Sequence, residues 1–101
     1  MRQGRRVRTE HLELRAAASP LPHPRVGFIV PKHKRTSVER NRLKRRLREI
    51  TRQQVLPALP PLDLVVRARP EAYGASFDAL AAELARGAAR LGAQFARASD
   101  A

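Results

Sequence analysis

The stretch from Thr36 to Ile50 constrains the fold more than any other. Thr36 is followed three residues on by Glu39, a Thr-x-x-Glu capping box in which each side chain satisfies the other residue's orphan backbone N–H. Leu43, Leu47 and Ile50 then recur at i, i+4 and i+7, so the predicted helix carries one apolar stripe. The rest is mostly basic: Glu39-Arg40-Asn41-Arg42-Leu43-Lys44-Arg45-Arg46-Leu47-Arg48-Glu49-Ile50. The stripe has to lie on an apolar layer. At about 100° per residue, Arg40, Lys44, Arg45, Arg48 and Arg52 then project across a broad neighbouring face. Pro57, Pro60 and Pro61 cannot continue a helix, which places its end near Val55.

Ten of the 21 Lys and Arg residues lie between positions 32 and 52, opposed there only by Glu39 and Glu49. Like charge at this density destabilises a compact state unless a polyanion neutralises it, so the pattern points to nucleic acid. A helical face that is merely solvated normally mixes its signs. The whole chain carries +12, which also fits an anionic membrane surface. No apolar run approaches the roughly 20 residues needed to cross a bilayer. Met1 to Arg8 is Arg-rich without an apolar segment, unlike a secretory signal. Cysteine is absent, which excludes disulfides, cysteine nucleophiles and thiolate metal sites and fits a cytoplasmic protein. A chain of 101 residues, 43% of them hydrophobic, suits one modest core. A single domain is expected over residues 1–95, with a frayed tail at 96–101.

From Val7 to Ala17, Leu12, Leu14 and Ala16 alternate with Glu13 and Arg15, the period of a half-buried strand. Pro20, Pro22 and Pro24 mark a loop, and Arg25 to Val30 reads as a second strand closed by Pro31. The short loop suggests that these two strands pair antiparallel. Asp63 to Arg69 is a third strand ending at Pro70. Ser76 caps a second helix with Phe77, Leu80, Leu84, Ala88 and Leu91 on one face. Val26 through the basic helix to Val66 forms a β-helix-β unit, for which a right-handed crossover is the default.

Candidate chemistry is sparse. His11, His23 and His33 show no ligand spacing, and Lys32 and Lys34 flank His33, so surface roles or a phosphate contact outweigh a metal site. The nine acidic residues form no close pair suited to two-metal phosphodiester cleavage. Glu39 caps its helix, and Glu49 is spaced to pair with Arg45 or Arg46. No Ser/His/Asp set and no phosphate-cradling glycine loop occurs, so the chain alone does not read as a nuclease. Phe77 and Phe95 read as helix-packing residues, and Phe28 as core or as a stacking platform. Arginine suits phosphate bidentately, and Asn41 can bind a base edge, a 2′-hydroxyl or a phosphate.

The Arg40-Asn41-Arg42 triplet lies on a capped helix between strands Arg25-Val26-Gly27-Phe28-Ile29-Val30-Pro31-Lys32 and Asp63-Leu64-Val65-Val66-Arg67-Ala68-Arg69-Pro70. With Ser76-Phe77 and the Leu-spaced helix after it, this arrangement resembles the protein subunit of bacterial ribonuclease P over most of residues 4–91. The resemblance implies an α+β, two-layer fold. It would have a small mixed sheet with helices packed on it, as in certain ribosomal proteins, and a left-handed β-α-β crossover that overrides the default. It further implies a protein cofactor that binds the catalytic ribonuclease P RNA and assists recognition of the 5′ leader and endonucleolytic 5′ maturation of precursor tRNA. The RNA subunit would perform the cleavage with magnesium. No catalytic residue, no cofactor bound by the protein itself, no membrane and no obligate protein partner are then expected. The implied RNA contacts are Lys32, Arg40, Asn41, Arg42, Lys44, Arg45, Arg48 and Arg69, with Arg15 and Phe28 toward the leader.

Three features depart from the resembled family. Its members carry an aromatic-bearing helix before the first strand, and Met1 falls about where that helix would end, so the helix is missing from this sequence, either because the gene start has been placed too late or because the helix is absent. They tend to carry an aromatic where Arg15 stands. Their Ser-Lys-Lys-x-Gly-Lys loop is replaced by Pro31-Lys32-His33-Lys34-Arg35-Thr36, which keeps the charge but requires a different turn. The alternatives are a structural, ribosomal-type RNA-binding protein without a processing role, a free-standing nuclease, and a DNA-binding helix.

Overall fold

The computed structural model describes residues 5–100, with side chains through residue 95. Four strands, β1 (Arg5–Arg8), β2 (Leu12–Ala18), β3 (Arg25–Ile29) and β4 (Leu62–Ala68), form one sheet in the order β1-β2-β4-β3. Two helices, α1 (Ser37–Ile50) and α2 (Phe77–Asp100), complete a two-layer α+β fold. Short helical turns at Thr51–Val55, Leu56–Ala58 and Pro70–Gly74 join the layers.

Side-chain alternation decides which face is covered. Leu12, Leu14 and Ala16 of β2 stand opposite Ala68, Val66 and Leu64 of β4, so all six share a face, and all are buried. Leu43, Leu47 and Ile50 of α1 and Leu80, Leu84, Ala88 and Leu91 of α2 close over them as one core. Each fully buried Leu, Ile or Val contributes about 1.5–3 kcal/mol relative to exposure. α2 lies so close to β2 that a Cβ on Gly87 would stand 2.9 Å from Leu14 Cδ2. The opposite face of the sheet carries Glu13, Arg15, Asp63, Val65, Arg67, Gly27 and Ile29, and no described helix covers it.

Several details differ from the pattern read in the sequence. The strand expected over residues 7–17 is a hairpin, broken where the Thr9 N–H donates to the Leu12 carbonyl (2.8 Å) and the Leu12 N–H to Thr9 Oγ1 (3.0 Å). β1 is an edge strand with only Val7 partly buried, so it leaves no periodic signal. β2 and β3 do not pair. β4 lies between them, antiparallel to β2 and parallel to β3. Its inward residues Leu62, Leu64, Val66 and Ala68 are the best buried of any strand, and the centre is where such a strand gains most. Phe77 is 37% exposed rather than packed, because it opens α2 beyond the edge of the core. α2 runs from Phe77 to Asp100.

Candidate RNA interface

The interface begins at the end of β3. The Arg40 guanidinium donates through Nε to the Val30 carbonyl at 2.7 Å, fixing the helix start against the strand end. Between them, the Arg35 N–H donates to the Lys32 carbonyl at 2.7 Å, and the two residues inside that turn, His33 and Lys34, have φ of 47° and 67°. Two consecutive left-handed residues make a mirror-image turn that usually needs glycine or asparagine.

Tyr73 borders the turn. Its hydroxyl donates to the Pro31 carbonyl at 2.6 Å, Arg35 lies 5.3 Å over its ring, and His33 meets it edge-on at 6.4 Å. The capping box then starts α1: Thr36 Oγ1 accepts from the Glu39 N–H (3.1 Å), and Glu39 Oε1 accepts from the Thr36 N–H (3.2 Å). The Thr36 backbone donor, with Arg35 beside it, holds the Glu39 carboxyl below its ordinary pKa.

Along α1, Asn41, Arg42, Arg45, Arg46 and Arg48 are exposed and Lys44 is half-buried. The helical period sets Arg42 and Arg46 on one flank of the buried stripe, Lys44 and Arg48 on the other, and Asn41 and Arg45 on the far side. The expected site residues thus wrap the outward half of the helix rather than fill one face. Among the described residues, none of these arginines, nor Lys44, has a carboxylate within 4.0 Å. Glu49 pairs with Arg52 (2.6 Å) and Gln53 (2.6 Å), not with Arg45 or Arg46 as the spacing suggested. Arg52 and Gln53 stand three and four residues after Glu49, where helical neighbours meet. Lys32 and Lys34 are also exposed, at the start of the same surface.

Three expected contacts take other positions. Arg40 is partly buried in its bond to Val30. Arg69 donates to the Thr9 and Glu10 carbonyls (both 2.9 Å) and pairs with Glu71 at 3.3 Å, so it clamps the β1–β2 turn. Phe28 stands opposite Val66 in register and packs against the core, which removes it from the open face. Arg15 does stand on that face. It borders a groove of about 690 Å³ with Ile29, Val65 and Arg67, and its Nε donates to Glu13 at 3.2 Å. Ile29 and Val65 are 45% and 36% exposed there. Arg46 and Tyr73 were not singled out by the sequence as site residues. The i, i+4 spacing from Arg42 carries a signal for Arg46, whereas nothing local marks Tyr73.

One acid–histidine cluster exists among the described residues, Glu10, His11 and Glu83. The His11 ring turns Nδ1 to Glu83 and Nε2 toward Glu10 (4.0 Å), so its two nitrogens serve different carboxylates. Glu83 Oε1 also accepts the His11 backbone N–H at 2.9 Å. The cluster locks α2 to the β1–β2 turn. Burial pushes the Glu83 carboxyl up, but bonds from Thr9 and His11 outweigh it and hold the group below its ordinary value. A depressed folded pKa stabilises above the unfolded value and loses that contribution as pH falls through the folded one. Glu83→Gln is expected to cost about 1.5–3 kcal/mol at neutral pH. Its unfolding midpoint is expected to fall less between pH 7 and pH 3 than the parent's, as thermal scans at both pH values will show.

The Ribonuclease P family model matches residues 1–92. A Ribonuclease P protein component from Syntrophobacter fumaroxidans is 51% identical over 73 residues, covering 70% of this chain and 60% of that protein. One from Acidothermus cellulolyticus is 42% identical over 95 residues, covering 90% of this chain and 78% of that protein. The chain therefore spans well under the full length of the first of these relatives. Among solved structures, the RNase P protein from Thermotoga maritima superposes with a TM-score of 0.78 at 22% identity, over 88% of this chain and 84% of that one, which establishes a shared fold. With its basic helix, its mixed sheet and its sequence all pointing the same way, this chain belongs to the ribonuclease P protein family.

Proposed function

We propose that this chain is the protein cofactor of ribonuclease P. It binds the catalytic RNA through the outward half of α1 and the Lys32–Arg35 turn, and it assists 5′ leader recognition and endonucleolytic 5′ maturation of precursor tRNA in the cytoplasm. The RNA subunit supplies the cleavage and holds the magnesium, and the protein alone cleaves nothing. The observation that carries this reading is the set of exposed arginines on α1 with no carboxylate partner among the described residues, in a chain of this family. Arg42, Arg45 and Arg48 bind phosphates, Asn41 a base edge or 2′-hydroxyl, Lys32 adds charge at the start of the surface, and Lys44 adds charge on one flank of the helix. Arg15, on the open sheet face, contacts the leader.

The mechanism is electrostatic. Basic side chains displace counterions from the folded RNA and so lower the magnesium it needs. If about six phosphates are neutralised, log K for the RNA subunit falls with log salt at a slope of roughly −4 to −5. Filter binding across a salt series measures it, and a slope near zero contradicts the electrostatic account.

A further inference from the structure

We infer that Tyr73 is a positioning residue, which holds the Lys32–Arg35 turn in the shape that presents its cations to RNA. The inference rests on the reading of function above, and it concerns a side chain distant in sequence from the basic helix. Tyr73 belongs to the Pro70–Gly74 turn after β4, yet its side chain reaches the β3–α1 loop at three points. Its hydroxyl binds the carbonyl of Pro31, before the turn; its ring edge meets His33, inside it; and its face carries Arg35, after it.

The turn needs such support. His33 and Lys34 both occupy left-handed backbone, which is unfavourable for residues with a Cβ. Within the loop itself, the one backbone bond across the turn is that from the Arg35 N–H to the Lys32 carbonyl. A loop released from Tyr73 gains by relaxing toward right-handed or extended conformations, and Lys32 and Lys34 then disperse, while Arg35 keeps its pairing with Glu39 at 3.2 Å. Tyr73 also lines a small cleft of about 70 Å³ with Arg42 and Arg46. One aromatic ring therefore sets the register between the loop cations and one flank of α1. Holding the cations in place beforehand strengthens binding by removing an ordering cost.

The test uses the full chain and Tyr73→Phe, which keeps the ring and removes only the bond to Pro31. Three quantities are compared with the parent: affinity for ribonuclease P RNA, exchange of the Arg35 amide followed by NMR, and the thermal unfolding midpoint. The expected result is about fivefold weaker RNA binding, the effect of one net hydrogen bond. Faster Arg35 exchange and a midpoint within a few degrees accompany it. Unchanged Arg35 exchange overturns the inference, as does unchanged affinity in a protein that binds RNA. A collapse of the midpoint overturns it too, by making Tyr73 a residue of the global fold. If the parent itself fails to bind this RNA, the reading of function fails, while Arg35 exchange still decides whether Tyr73 holds the turn.

Discussion

Arg42→Ala combined with Arg45→Ala is expected to weaken binding to the ribonuclease P RNA by about 2–6 kcal/mol. Each side chain contributes about 1–3 kcal/mol if it makes a charge-assisted bond to phosphate. The lower end of the range is already about 30-fold in affinity. Neither guanidinium makes an ion pair or a hydrogen bond within the described residues, and both are exposed. The double variant should therefore fold as the parent does, and its unfolding midpoint should stay close to the parent's. Titration of labelled RNA at fixed salt reads the first quantity, and a thermal scan reads the second. The same substitutions should also reduce the salt slope by roughly two phosphates' worth, about 1.5–2. Unchanged affinity would move the interface off the outward half of α1.

Leu14→Ala is expected to destabilise the fold by about 2–5 kcal/mol, with an effect on RNA binding only through the folded fraction. Leu14 is fully buried in the sheet layer, pairs in register with Val66, and lies directly under Gly87 of α2. A helix held that close by a glycine has little freedom to follow a shortened side chain, so the cavity should stay open. A loss of this size is a large share of the roughly 5–15 kcal/mol that a small domain has in total. Val65 is the natural control, being one residue along β4 from Val66 but on the uncovered face. Val65→Ala should change stability by no more than about 0.5 kcal/mol. Urea denaturation of both variants checks the pair, and equal losses would mean that the sheet does not have one covered and one open side.

The elements most legible in the sequence are those whose signals are local. Thr36 and Glu39 announce the start of α1 three residues apart, and the capping box forms as they predict. Leu43, Leu47 and Ile50 face the core, as do Leu80, Leu84, Ala88 and Leu91. Leu12, Leu14 and Ala16 identify an inward strand face. Strand order is a different kind of information. Periodicity says that β2, β3 and β4 each have an inward side, but not that β4 lies between the other two. Nor does it show that Arg5 to Arg8 pairs at all, since an exposed edge strand has almost no apolar pattern.

The same division holds for the candidate site. The charge density of α1 is visible at once, because it resides in consecutive residues. Which of the chain's charges are already bonded within the fold is not. Arg40 is drawn to Val30 and Arg69 to the carbonyls of Thr9 and Glu10, and both ties are made by the fold. Phe28 is placed by the register of β3 on β4, a long-range fact. Tyr73 was unmarked because its three neighbours, Pro31, His33 and Arg35, lie about 40 residues before it in the chain.

The central claim is that the chain is a cofactor to a catalytic RNA. Its most direct test is cleavage of a precursor tRNA by bacterial ribonuclease P RNA at low magnesium, with and without this protein, and with the protein alone as control. The account predicts cleavage at the mature 5′ end only when RNA and protein are both present. Tight binding to the RNA without any stimulation of cleavage would contradict it and favour a structural RNA-binding role. Cleavage by the protein alone would contradict it more directly still.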